Sequence, residues 1–333
     1  MFQTEPIKLL QSLATDGLTE LMVLVSGLGY SEFYIPVLIL ITFGVSFRKG
    51  FLLTQMMLWV GIVTDLLKNV IALPRPADVD SAVKLLAETD VTNPTPFTGK
   101  GGVGFWDLPD REAIRIIRLQ PDWSYGLPSG HVSGTTAFWG GLSLVFRGTP
   151  IRVAAVVMIG LMPLSRMYLG RHFLADVLAG FLLGLVFLGL IHTVFVRPGT
   201  AGRLVELSRL HLSAGLPTLI VLSITLLPPL LLLALSPLVE PEAAGHLFGL
   251  NVAFLLLALG GLPQDAGSWP RRVGRVLLAF AIYLVTVWLV GQGLDLASAM
   301  HDHPWIEFPA TAIPTFAALW GGVKVSLGLG LYR

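Results

Sequence analysis

The chain has 333 residues, 54% of them apolar and only 13% charged, with a mean hydropathy of +0.75. Soluble domains are about 25% charged, so half the usual share points to lipid as the solvent and excludes an ordinary water-soluble fold. A net charge of +1 and the absence of cysteine exclude a concentrated basic surface for nucleic acid, disulfides, and thiolate metal or nucleophile chemistry.

The first ten residues carry Glu5, Pro6 and Lys8 and lack the basic-then-apolar order of a cleaved signal peptide. Insertion is therefore expected to rely on internal spans. A spanning helix needs about 20 mostly apolar residues. On that measure the sequence predicts an all-α membrane bundle of about nine spans, at 28–47, 51–73, 129–146, 151–168, 173–195, 217–236, 245–263, 273–294 and 308–331. The first is interrupted by Ser31 and Glu32, and Gly17 to Gly29 reads equally as an interfacial segment.

Basic residues mark the cytoplasmic turns. They fall at Arg48 and Lys49, at Arg147 and Arg152, at Arg197, Arg203 and Arg209, at Arg271, Arg272 and Arg275, and at Arg333. These are alternate connections, so the expected orientation is N-terminus outside and C-terminus cytoplasmic. The opposite connections 237–244 and 295–307 hold no Lys or Arg but carry Glu240, Glu242, Asp295, Asp302 and Glu307. The long connection 74–128 is rich in turn residues, including Pro94, Pro96, Gly99, Gly101, Gly102 and Gly104. Long loops of this kind are functional or disordered, and this one is expected to cap a site. Within it, Ile114, Ile116, Ile117 and Leu119 alternate with Arg111, Arg115 and Arg118, a pattern that suits a helix lying on the membrane surface.

Three short elements carry chemistry. The second span ends with Lys68 and, seven residues on, Arg75 between Pro74 and Pro76. Seven residues are about two helical turns, so the two cations share a face if the helix extends that far. The prolines end the helix and push Arg75 toward extended backbone. Snorkelling at a membrane edge explains this pair equally well when it is taken alone. The third span opens with Pro128, Ser129, Gly130 and His131, a helix start whose free N–H groups suit a phosphate. Simple capping is the plain alternative, but it does not ask for His131. In the third element His172 and Asp176 are one turn apart. The carboxylate can fix the imidazole tautomer and leave the other nitrogen as a nucleophile.

Taken in order and with full spacing, K-x6-R-P, P-S-G-H and S-R-x5-H-x3-D resemble the signature of the type 2 phosphatidic acid phosphatase superfamily, the lipid phosphate phosphatases. In this chain they are Lys68, Arg75 and Pro76; Pro128 to His131; and Ser165, Arg166, His172 and Asp176. The resemblance covers about residues 50–195. It implies a phosphatase core at 51–195 with an outer loop at 77–127, preceded by 1–50 and followed by extra transmembrane helices at 196–333. Extra helices after the core look like those of the glucose-6-phosphatase and sphingosine-phosphate phosphatase branches, though no motif points to either substrate.

The resemblance further implies a metal-independent phosphatase acting on a lipid phosphate or lipid pyrophosphate. His172 would be the nucleophile, Asp176 its orienting partner, and His131 the acid and base. Lys68, Arg75, Ser129, Gly130 and Arg166 would hold the phosphate. No cofactor or metal is expected, nor a nucleic-acid partner; membrane lipids are expected partners, and a homo-oligomer stays open. Outside would mean the periplasm of a bacterial inner membrane. A phosphotransferase carries the same motifs. A transporter or scramblase is the other class, raised by the late helices, but the internal repeats that would support it are not visible. Arg171 reads equally as a substrate contact or a headgroup anchor. A metal at His301, Asp302 and His303 is disfavoured because adjacent loop positions rarely converge on one ion. His192, His211 and His246 read as interfacial or helix-end residues, and Trp106, Trp123 and Trp305 as an interfacial belt.

Overall fold

A computed structural model describes residues 1–86, 95–120, 124–193, 216–236, 238–296 and 303–332. Trp123, Arg197, Arg203, Arg209, His211, His301, Asp302 and Arg333 lie outside the described residues, as does the side chain of Asp295. The described residues form helices and loops and no strand. The chain separates into two compact units, one of Met1–Tyr34 and Val63–Ile191, the other of Ile35–Ile62 and His192–Arg333.

The first unit holds α1 (Glu5–Ser12), α2 (Asp16–Gly27), the end of α4 (Phe47–Ile71), α5 (Pro76–Val79), α6 (Arg111–Arg118), α7 (Gly130–Phe146), α8 (Thr149–Tyr168) and α9 (Leu174–Ile191). A further helix, α3 (Ser31–Ile39), continues as a π-helical stretch, Leu40–Val45. Helix α7 packs on both α8 and α9. Small residues allow close approach here, as is common between membrane helices. A Cβ on Gly180 would meet the Ser129 carbonyl, one on Gly184 would meet Thr136, and one on Gly140 would meet Leu188. Ile7, Val79, Val83, Ala113, Met162 and Phe173 form the buried apolar centre of this unit.

The N-terminal residues pack against the connection between α4 and α7. The Thr4 hydroxyl and the Lys8 ammonium donate to the buried Asp80 carboxylate at 2.7 and 3.0 Å. Gly102 N–H donates to the Phe2 carbonyl, and Gln3 to Val103. The Ile114 and Ile117 side chains of α6 are buried, and Arg118 donates to the Ile71 and Ala72 carbonyls at the end of α4. The apolar face of α6 thus packs on protein rather than on a membrane surface. The orphan carbonyls of a helix C-terminus attract a guanidinium, and that contact decides how α6 lies.

The second unit holds the start of α4, α10 (Leu216–Ala234), α11 (Pro241–Gly260), α12 (Trp269–Leu296), α13 (Pro304–Phe316), a π-helical stretch Ala317–Gly321 and α14 (Gly322–Gly328). Asp265 accepts from the Ser46 hydroxyl and the Phe47 N–H, each at 2.8 Å, and so caps α4. Phe43, Phe47, Leu250, Ala253, Leu257, Leu319 and Val323 form its core. Arg275 does not lie in a turn, as its place among the basic residues suggests. It sits inside α12, 1% exposed, with its guanidinium 4.2 Å over the Tyr332 ring.

Among the described residues, five stretches are long and apolar enough to cross a membrane: Phe47–Val79, Thr149–Tyr168, Leu174–Ile191, Pro241–Gly260 and Trp269–Leu294. The bent pair Asp16–Gly27 and Ser31–Val45, which meet at 50°, makes six if it counts as one span. The other expected spans fall short for local reasons. Helix α7 has 17 residues, and α13 contains Pro309 and Pro314 before the π-helical stretch. Large apolar side chains such as Leu182, Val186, Leu284 and Trp288 are exposed on these helices. Lipid removes the penalty such faces would carry in water, and the helices are those of a membrane protein.

Candidate active site

Helices α4 and α8 run toward one end of the first unit, and α7 and α9 start from it. All three sequence motifs therefore meet there. Helix α4 stops at Ile71, after which Ala72 takes a left-handed conformation with φ 51°. Lys68 and Arg75 are thus not on a common helix face. Arg75 is reached through extended backbone, φ −87° and ψ 166°, as the flanking prolines require. Asp78 Oδ2 accepts from Arg75 N–H at 2.7 Å, and the Arg75 guanidinium donates to the Ser124 carbonyl and hydroxyl at 2.7 and 2.6 Å. Lys68 lies 3.8 Å from Asp65. It also lies 3.6 Å from where a Cβ on Gly130 would stand, an ordinary contact distance that sets the ammonium beside the start of α7.

Backbone bonds stitch the motifs together. Gly126 N–H donates to the Leu73 carbonyl and Ser129 N–H to the Asp176 carbonyl, each at 2.9 Å. Gly126 itself is hemmed in, since a Cβ there would lie 2.9 Å from Asp176 Oδ2 and 3.1 Å from the Pro74 carbonyl. Ser129 occupies the N-cap position of α7, yet its side chain makes no cap bond and its buried Oγ has no hydrogen-bond partner among the described residues. Capping therefore does not explain this serine.

His172 precedes α9 rather than lying within it. Asp176, in the first turn of α9, reaches back: Oδ2 accepts from Phe173 N–H at 2.9 Å and lies 3.3 Å from His172 Nδ1. The contact thus comes from a helix-start carboxylate folding over the preceding residue, not from two side chains on one helical face. His172 is 2% exposed and Asp176 fully buried. Its Nδ1 is turned to the carboxylate, so Nε2 is the nitrogen available for chemistry.

Arg166, in the last turn of α8, is 4% exposed. Its Nη1 donates to Ser26 Oγ at 2.5 Å, and its Nε has no partner among the described residues. Ser165 donates to the Met22 carbonyl at 2.7 Å and so ties α8 to α2. At Gly170, φ 75°, the chain leaves α8 in a left-handed turn, and Arg171 N–H returns to the Arg166 carbonyl at 3.0 Å, the closing bond of a Schellman cap. Lys68, Arg75, Arg166 and Arg171 all act electrostatically on His131. Four cations with hydroxyl and N–H donors make a site for an oxyanion.

Residues 22–30, which no motif marks, also reach the site. The Tyr30 ring stands edge-on to His131, centroids 4.4 Å apart and planes at 90°. The one sequence signal for this was the glycine-flanked break in the first apolar run, at Gly27 and Gly29. Of the residues set aside, His303 caps α13 by accepting from Trp305 N–H, and His246 bonds to Thr315 at 2.7 Å. Trp106 and Trp305 are largely exposed.

Comparison with known proteins agrees with the residues that meet here. No curated protein and no solved structure matches the chain. The family model of the PAP2 superfamily matches residues 49–199, a stretch that contains every motif residue of the site. Members of that superfamily are phosphatases and phosphotransferases of phosphoric esters. Through this segment the chain is similar to the PAP2 superfamily, the type 2 phosphatidic acid phosphatases.

Proposed function

We propose that this chain is a membrane phosphatase that hydrolyses a lipid phosphate or lipid diphosphate through a phosphohistidine on His172. One observation carries the reading. Ser129 Oγ, His131 Nε2 and Arg166 Nε are buried without a hydrogen-bond partner among the described residues, at the helix start beside the His172–Asp176 pair. Buried polar groups are rarely left unpaired, and a phosphoryl group would satisfy all three.

The reaction takes two steps. His172 Nε2 uses its lone pair to form a P–N bond while the P–O bond to the leaving oxygen breaks. The leaving oxygen keeps that electron pair and takes a proton from His131. Water then attacks phosphorus and gives a proton to His131. The P–N bond breaks, its electrons return to His172, and inorganic phosphate departs. Asp176 holds the His172 ring, while Lys68, Arg75, Arg166, Ser129 Oγ and Gly130 N–H neutralise the phosphate oxygens. Phosphoryl transfer asks mainly for positioning and charge stabilisation, which this donor set supplies.

The chain crosses the membrane nine times in this reading, with the N-terminus outside and the C-terminus cytoplasmic. The core at 51–195 carries the chemistry on the outer face, the periplasm of a bacterial inner membrane. What supports the orientation is the alternation of basic turns. Phosphate release by the purified protein tests the function, with undecaprenyl pyrophosphate, phosphatidate, sphingosine phosphate and glucose 6-phosphate as substrates and EDTA present. The expected result is release that survives EDTA and disappears in His172→Ala. Normal release by a folded His172→Ala protein would sink the nucleophile assignment. Release only when an alcohol acceptor is added would make the chain a phosphotransferase.

A further inference from the structure

We infer that Tyr30, seated by Gly29, is a positioning residue that aims His131 and Arg166 at the phosphate, so that the N-terminal segment completes the site. The inference rests on the phosphatase reading for the roles of His131 and Arg166, and on contacts within the first unit for its geometry.

Helix α2 ends at Gly27, and the turn to Ser31 is fixed by its own backbone. Gly29 N–H donates to Ser26 at 2.9 Å and Tyr30 N–H to Gly27 at 3.3 Å. From this turn three residues reach two functional groups. Ser26 Oγ accepts from Arg166 Nη1. The Tyr30 ring meets the His131 ring edge-on, an arrangement aromatic pairs favour, and the Tyr30 side chain acts electrostatically on Arg166. Gly29 supplies the clearance. A Cβ there would lie 2.7 Å from His131 Cδ2 and 3.0 Å from the Met162 Cε. The approach to the imidazole is the closer of the two and shorter than real Cβ contacts, so the His131 ring would have to move.

His131 Nε2 has no partner among the described residues, so packing must set the direction in which this ring presents its proton. Tyr30 is 47% exposed, which makes it a wall of the site mouth rather than a core residue. Residues 26–30 all lie before the segment that matches the PAP2 superfamily, which starts at residue 49. The matched segment thus lacks the groups that hold its own acid in place, and the preceding turn provides them.

The test exploits the leaving group. The full chain in detergent is assayed on a short-chain phosphatidate, whose alkoxide needs a proton, and on p-nitrophenyl phosphate, whose phenolate does not. Because kcat/KM reports the steps through phosphoenzyme formation, it isolates the first proton transfer. General acid catalysis contributes about 10²–10⁴-fold, so Gly29→Ala and Tyr30→Ala are expected to lower kcat/KM for phosphatidate by about 10²-fold and for the aryl ester by only a few-fold. Tyr30→Phe keeps the ring and should restore the wild-type ratio between the two substrates. Equal losses on both esters, or no loss on either, would overturn the inference. If the wild-type protein releases no phosphate from either ester, the phosphatase reading fails, and the positioning is read instead from the His131 ring signals of histidine-labelled protein. A shift of those signals in Tyr30→Ala supports the packing role; unchanged signals refute it.

Discussion

The Ser129 amide donates to the carbonyl of Asp176 at 2.9 Å, which joins the turn proposed to hold phosphate to the first turn of the helix whose carboxylate lies 3.3 Å from His172 Nδ1. The two halves of the chemistry are therefore fixed to each other by backbone, not by side chains that substitution could remove.

Asp176 Oδ2 serves both Phe173 N–H and His172 Nδ1. Asp176→Asn keeps the size and one acceptor oxygen but puts the wrong tautomer on His172. By analogy with a serine-protease triad, the rate should fall about 10⁴-fold while the protein stays folded. Activity is read by phosphate release and folding by circular dichroism. A loss of only a few-fold would make Asp176 a structural helix-start residue.

Ser129 sits at the N-cap without capping. A working cap would lose about 1 kcal/mol on truncation to alanine. Ser129→Ala is instead expected to leave the unfolding midpoint nearly unchanged and to lower kcat/KM about tenfold, the share of one hydrogen bond to a charged group. Thermal unfolding and steady-state assays on one preparation separate the two readings. A falling midpoint with normal catalysis would restore the capping role.

Asp80 is buried, which by itself pushes its carboxyl pKa up. Hydrogen bonds from Thr4, from Ala82 N–H and from Lys8 outweigh this and hold it below the usual carboxylate value. A depressed pKa means stability that is present above the unfolded carboxylate pKa and lost as pH falls through the folded one. The contact should therefore be constant between pH 5 and 8 and fail only in acid below about pH 4. Asp80→Asn is expected to lose about 2 kcal/mol and to speed proteolysis of the 95–110 loop at neutral pH. Proteolysis at the wild-type rate would show that the N-terminal residues are not what holds the loop.

Asp265 caps α4 through Ser46 Oγ and Phe47 N–H. Removing a cap costs about 1–2 kcal/mol. Asp265→Ala should thus lower the unfolding midpoint by a few degrees and leave the His172-dependent kcat/KM within about twofold of wild type. A large catalytic loss would mean that the cap bears on the chemistry as well as on stability.

Much of this was legible in the sequence because lipid imposes a simple rule: α4, α8, α9, α11 and α12 announce themselves as long apolar runs. The motif residues were legible because phosphate chemistry uses few residue types at fixed spacing. What failed to show was geometry set by partners distant in the chain. Arg75 reads as a helix-face neighbour of Lys68 until the left-handed Ala72 ends the helix. Ile114 and Ile117 look like a membrane-facing stripe, but the end of α4 offers Arg118 its carbonyls. Ser26 and Tyr30 form no recognisable pattern, and Gly29 shows only as a break in an apolar run, since edge-on packing and clearance leave no trace in residue spacing. Fewer than nine stretches pass as spans by length and composition among the described residues, because a hydropathy reading ignores the shortness of α7 and the prolines of α13.

A single methyl has no room between α7 and α9 at Gly180, Gly184 or Gly140. An acyl or prenyl chain is far bulkier than a methyl, so no tail passes between these two helices. On the proposed lipid-phosphate reading the substrate enters toward His172 from another flank of the bundle, with α7 and α9 as a closed wall.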